Sequence, residues 1–217
     1  EGQLRMRTRY RHDCIYNFYY APIEIEAWGG EVIYSEDGPP NSGTPIIKRF
    51  EDIKALEPPK DPASIPALAR VLKSSAMLKK KVGDDAPIIG VVMSPFSLPV
   101  MQIKLEKYIE LMYEQPDFYN RLMKVNEDFC VAWANAQLQA GTTAICYFDP
   151  VASSTISTRE MYLKTGFEVA KRTLARINGP TATHMASGHC LPVVGDIAQT
   201  GTAIIGVSVE ENIRLAV

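Results

Sequence analysis

Four short, mostly apolar runs, each stopped abruptly by polar or turn-forming residues, set the rhythm of this chain. They are Ile88–Met93 running into Ser94-Pro95, Ala144–Phe148 into Asp149-Pro150, residues 181–185 into Ser187-Gly188-His189, and residues 203–207 into Ser208-Val209-Glu210-Glu211. All are too short for helices and read as buried strands. Between them apolar positions recur every three or four residues. That period predicts helices over residues 66–81, 101–113 and 117 to about 139. The last of these carries Phe118, Leu122, Val125, Phe129, Ala132, Trp133 and Ala136 as one core-facing stripe. A further helix, to about residue 177, opens at the capping box Ser157-Thr158-Arg159-Glu160. Strands alternating with helices predict an α/β fold with a parallel sheet, whose functional groups gather at the strands' carboxyl ends.

The first third of the chain is less regular. Arg5, Arg7, Arg9, Arg11 and His12 give it a basic lead, expected as a solvated strand or loop edge. Four aromatics follow, at Tyr16, Phe18, Tyr19 and Tyr20. A short helix over residues 24–28 closes on Gly29, and residues 31–35 form a short strand. Prolines at 45, 58, 59, 62 and 66 make residues 41–66 a surface loop. The whole chain, 1–217, is expected to form one domain.

Composition narrows the function classes. With 46% hydrophobic and 22% charged residues, the chain has the make-up of a globular protein. A net charge of -2, without a basic patch interleaved with aromatics, gives no footprint for nucleic acid. No apolar run approaches the ~20 residues a membrane helix needs. Four widely spaced cysteines without a CxxC pair point to free thiols and a cytoplasmic location. The chain starts at Glu1 rather than Met and stops just after a new element begins at Glu210, so both ends are expected to be cut.

The strand ends bring together Ser94, Asp149, His184 with His189 and Cys190, and Glu210 with Glu211. Imidazole, thiolate and carboxylate form a donor set for zinc, and equally a set for moving protons. Asp149, ahead of a proline, is either a site carboxylate or a loop cap. Glu210 and Glu211 either furnish a second carboxylate or open a helix at its positive end. No Gly-x-Ser-x-Gly elbow or glycine-rich phosphate loop is present.

Taken in order, Asp13, Glu26-Ala-Trp-Gly-Gly30, Gly38-Pro39, Ser94-Pro-Phe-Ser-Leu98, Gln137-x-x-Ala-Gly141, Asp149 with Ile156-Ser157, His184, and Gly201 with Gly206-Val-Ser208 form a recognisable series. The chain resembles the uroporphyrinogen decarboxylase superfamily over most of its length. The resemblance implies a (β/α)8 TIM barrel that is incomplete at both ends. It also implies one of two activities: decarboxylation of porphyrinogen acetate groups without a cofactor, or methyl transfer to or from a corrinoid.

Decarboxylases of this type carry a Phe-Ser-Asp motif whose carboxylate faces the pyrrole nitrogens. The matching stretch here is Phe18-Tyr19-Tyr20, and Met101 stands where they place a tyrosine. Residues 149–153 and 208–211 look instead like segments of cobamide-dependent methyltransferases, among them methylcobamide:coenzyme M methyltransferases and O-demethylase proteins. In members with zinc, a His-x-Cys pair follows this strand. The histidine matches His184, but Ala186 occupies the cysteine position, leaving Cys190 as substitute, and the second cysteine would lie beyond Val217.

The resemblance therefore implies a methyltransferase working with a corrinoid protein and a small methylated substrate or thiol acceptor. His184 would be metal ligand or general acid, with Cys190 as the second ligand in the metal reading. Asp149 would orient His184 or the substrate, and Glu210 would be the second carboxylate. Tyr19, Tyr20, Ser94, Phe96 and Met101 would line the substrate site. The alternatives are a porphyrinogen decarboxylase with an altered site and a non-catalytic corrinoid- or tetrapyrrole-binding module.

Overall fold

A computed structural model describes residues 1–215. Its frame is a five-stranded sheet of β1 (Ile15–Tyr16), β4 (Ile88–Met93), β5 (Ala144–Phe148), β6 (Thr181–His184) and β7 (Ile204–Gly206), in that order and parallel throughout. A separate antiparallel pair, β2 (Val32–Ile33) and β3 (Asn41–Ser42), lies in the segment between β1 and β4. The helices are α1 (Gly2–Tyr10), α2 (Pro66–Val82), α3 (Pro99–Ile103), α4 (Leu105–Glu114), α5 (Pro116–Gln139), α6 (Arg159–Leu174) and α7 (Val194–Ala198). Parallel strands joined through helices make this an incomplete (β/α)8 barrel.

Register decides which side chains meet. Met93, Phe148, His184 and Gly206 are paired in one row across the carboxyl end of the sheet. Alternate residues share a face, so Val91, Cys146 and Ala182 lie on that same side. The opposite face carries Val92, Ile145 and Tyr147, buried with Phe129, Trp133 and Ala134 of α5 and Leu174 of α6. Helices thus cover one side only, and the concave side forms the inner mouth.

Several sequence expectations need correction. The basic lead is helix α1, closed by Arg11 in the left-handed region at φ 52°; with few apolar residues it carries no legible period. Ile15–Tyr16 is a sheet strand hidden within the aromatic cluster. The short helix is a 3-10 helix, Ala21–Trp28, ending at Gly29 with φ 71° as expected. The 101–113 period covers two helices broken at Lys104, which has φ 74°. Thr158, not Ser157, caps α6, its hydroxyl accepting from Met161 N–H. The 41–66 segment holds β3 and two 3-10 turns, and it buries Ile47 and Ile53. Among the described residues no helix is long and apolar enough to cross a membrane.

Candidate functional site at the inner mouth of the barrel

His184 ends β6 on the concave side, with its ring stacked on Phe148 at 5.6 Å between centroids and 18° between planes. The stack requires a glycine on the neighbouring strand, because a Cβ at Gly206 would lie 2.7 Å from His184 Cδ2. Ala186, in the left-handed region at φ 55°, turns its N–H back to His184 Nδ1 at 3.2 Å. A ring nitrogen that accepts a hydrogen bond is unprotonated, so the neutral imidazole carries its proton on Nε2. His184 therefore presents a donor N–H to the mouth.

Asp149 follows Phe148 and points the other way. Only 1% exposed, its Oδ1 accepts from Ser94 Oγ and Ser97 Oγ, both at 2.6 Å. Ser97 Oγ accepts in turn from Val151 N–H, so the carboxyl ties the loop after β4 to the turn after β5. Burial pushes its pKa up to about 6, against the pull of the two serines and Ala152 N–H. Its charge acts on Tyr108, Tyr119, Tyr147 and Tyr162, all in the buried layer. Asp149 and Ser94 thus build the loop platform beneath the mouth.

The remaining candidates are dispersed. Phe96 is fully buried between Tyr108 and Tyr162, with centroids 6.1 and 6.2 Å away. Met101 is half-buried against the main core cluster. Tyr19 is exposed at the rim, whereas the Tyr20 hydroxyl donates to Glu26 Oε1 at 2.6 Å and accepts from Tyr34. Glu210 is exposed, 4.0 Å from His189 Nε2. Its neighbour Glu211 accepts from the backbone N–H groups of Cys190 and Leu191, each at 2.9 Å, and so fastens the chain after β7 to the chain after β6.

Zinc does not fit the donors in this arrangement. A ligand at His184 Nε2 would require a proton on Nδ1, where Ala186 N–H already points. The Cys190 thiol is buried, and burial, with Glu211 beside it, pushes its pKa up to about 12, away from the thiolate a metal needs. Among the described residues no three His, Cys, Asp or Glu side chains group to hold a metal ion.

One group at the mouth escaped the sequence reading. Glu24, in the 3-10 helix after Tyr20, is 3% exposed and accepts from Met93 N–H at 2.8 Å. Burial pushes its pKa up to about 8, although Met93 N–H and Trp133 favour the anion. It lines a cavity of about 20 Å³ together with Asn17, Tyr19, Val91, Trp133 and Phe148. Its only sequence signal was an acid within an apolar turn, Pro22-Ile23-Glu24-Ile25.

The sequence model of the uroporphyrinogen decarboxylase (URO-D) family matches residues 1–217. The chain belongs to that family. This family member is 29% identical over 207 residues to a methylcobamide:CoM methyltransferase MtaA of Methanosarcina barkeri, covering 91% of this chain and 57% of that protein. It is 31% identical over 155 residues to a uroporphyrinogen decarboxylase of Methylococcus capsulatus, covering 69% and 43%. A solved methyltransferase from Methanosarcina mazei has the same fold, with a TM-score of 0.86 at 20% identity over 94% of this chain and 60% of that one. The family member thus spans about half the length of the curated relatives it matches.

Proposed function

We propose that this chain is part of a cytoplasmic corrinoid-dependent methyltransferase, moving a methyl group between a small substrate and a corrinoid protein. The observation that carries the reading is Tyr20. Where a porphyrinogen decarboxylase is expected to offer a carboxylate to the pyrrole nitrogens, this chain has a phenol hydrogen-bonded to Glu26 and Tyr34. The carboxyl beside it, Glu26, is already engaged by the phenol, so the motif position itself offers no counter-charge to a cationic tetrapyrrole intermediate. Asp149 and Glu24 do not replace it: Asp149 faces the buried layer, and burial holds Glu24 towards its neutral form.

The corrinoid, carried by the partner protein, supplies the cobalt that exchanges the methyl group. On this chain, His184 Nε2–H donates a hydrogen bond to the heteroatom bearing the methyl group, since an unassisted anion leaves poorly. Phe148 holds the imidazole by stacking and walls one side of the substrate with apolar surface. Asp149, Ser94 and Ser97 keep the two supporting loops in register. The small substrate enters through the concave face, past Tyr19.

The test is transfer of a labelled methyl group by the full-length protein, using corrinoid proteins encoded beside it and a panel of methoxylated, methylamine and thiol substrates. Transfer that falls about 100-fold or more in His184→Ala supports the reading. No transfer with any combination, or release of carbon dioxide from a porphyrinogen, sinks it.

A further inference from the structure

β1 is two residues long, so beyond Ile89 the edge of β4 has no strand beside it. Two side chains take the missing strand's place. Gln137 of α5 donates to Val91 O at 2.9 Å and accepts from Val91 N–H at 3.1 Å, while Glu24 Oε1 accepts from Met93 N–H. They differ in one respect. Gln137 uses both ends of its amide, whereas Glu24 Oε2 is buried without a partner.

Trp133 Nε1 is also buried without a hydrogen bond of normal geometry, and it lies close enough to favour the Glu24 anion. Both residues line the same cavity of about 20 Å³, which passes Phe148 and reaches the exposed Phe18 and Tyr19. A water needs roughly 10–15 Å³ and two or more polar partners, so the cavity has room and chemistry for one. No Lys, Arg or His lines it. The titratable groups facing Glu24 are Cys130 and Tyr20, both pushed towards their neutral forms by burial, with Tyr19 at the rim. An anion here has no counter-ion lining the cavity, and burial pushes the carboxyl towards its neutral form.

We propose that Glu24 carries a proton on Oε2 and delivers it to the inner mouth through one water in the adjoining cavity, with Trp133 Nε1–H in direct reach of the carboxyl. The water accepts from Glu24 Oε2–H and turns its own hydrogens towards the substrate, while Trp133 Nε1–H favours the Glu24 anion that remains. In the transfer, the carbon–heteroatom bond breaks and its electron pair stays on the heteroatom. The methyl group goes to the reduced corrinoid, and a water proton passes to the heteroatom as the Glu24 proton passes to the water. Glu24 is left anionic and regains its proton from solvent. The identity of the proton's recipient rests on the methyl-transfer reading; the protonated acid does not.

Glu24→Gln keeps the acceptor for Met93 N–H and removes the transferable proton. Infrared spectra of the full-length protein should show a carboxylic acid band at pH 7 that titrates near pH 8 and is missing in Glu24→Gln. In methyl transfer the variant should lose about 100-fold or more in kcat, together with the wild-type alkaline limb. Trp133→Phe, which removes only the N–H and the ring's extra breadth, should keep the band and still lower kcat. Absence of a Glu24-dependent acid band at pH 7, or a Glu24→Gln protein with wild-type kcat and pH profile, overturns the proposal. A wild-type protein with the band but no methyl transfer refutes the methyl-transfer reading while supporting the proton site.

Discussion

Replacing Glu24 by glutamine should change how stability depends on pH, and the size of the change follows from the carboxyl's surroundings. In the folded chain the acid titrates near 8 because its oxygens are buried and only Met93 N–H bonds one of them; its ordinary value is 4.5. A raised folded-state pKa gives stability that is fully present below the unfolded value and lost as pH climbs to the folded one. At about 1.4 kcal/mol per pH unit the ceiling is roughly 5 kcal/mol, of which about 3.5 kcal/mol falls between pH 5 and pH 8. Glutamine has no such cost, so the variant should gain on wild type by about that amount across this window. Asp149 loses stability in the same direction, as pH rises towards about 6, but equally in both proteins. Urea unfolding by circular dichroism at pH 5, 6, 7 and 8 measures the difference. A wild-type-minus-variant difference that stays constant with pH refutes the buried-acid reasoning.

Two further outcomes test the site. Gly206→Ala places a Cβ 2.7 Å from His184 Cδ2 and must tilt the imidazole off Phe148; methyl transfer should fall at least 10-fold with unfolding changed by less than about 1 kcal/mol, and an unaffected rate would show that the stacked orientation is irrelevant. Ser94→Ala with Ser97→Ala strips both hydroxyls from the buried Asp149 carboxyl, so the double variant should lose about 2–5 kcal/mol. The loss should be larger at pH 7, where the carboxyl is mostly ionised, than at pH 5; denaturant titrations with equal losses at both would contradict it.

The parts of the fold that were legible in the sequence are those where burial acts locally. The bounds of β4 and β5 follow from continuous apolar runs, and α5 from its stripe, because a side chain's place on a face is set by its neighbours three or four residues away. By the same logic α1 was illegible: it buries nothing, so no period marks it. β1 needed its partner, since two residues acquire strand geometry only by pairing with Ile88 and Ile89.

Motif order was enough to place His184 at a strand end of a uroporphyrinogen decarboxylase-type barrel. It did not settle which way the strand-end residues face. Phe148 shares the inner row with His184, so Asp149, one residue later, turns to the buried side, where its sequence position had favoured a direct site role over a loop cap. Phe96 went the same way, into the layer between Tyr108 and Tyr162. Glu24 depended wholly on tertiary structure. This acid in an apolar turn is buried, and pushed towards its neutral form, where β1 ends early and leaves the Met93 N–H without a strand to accept it.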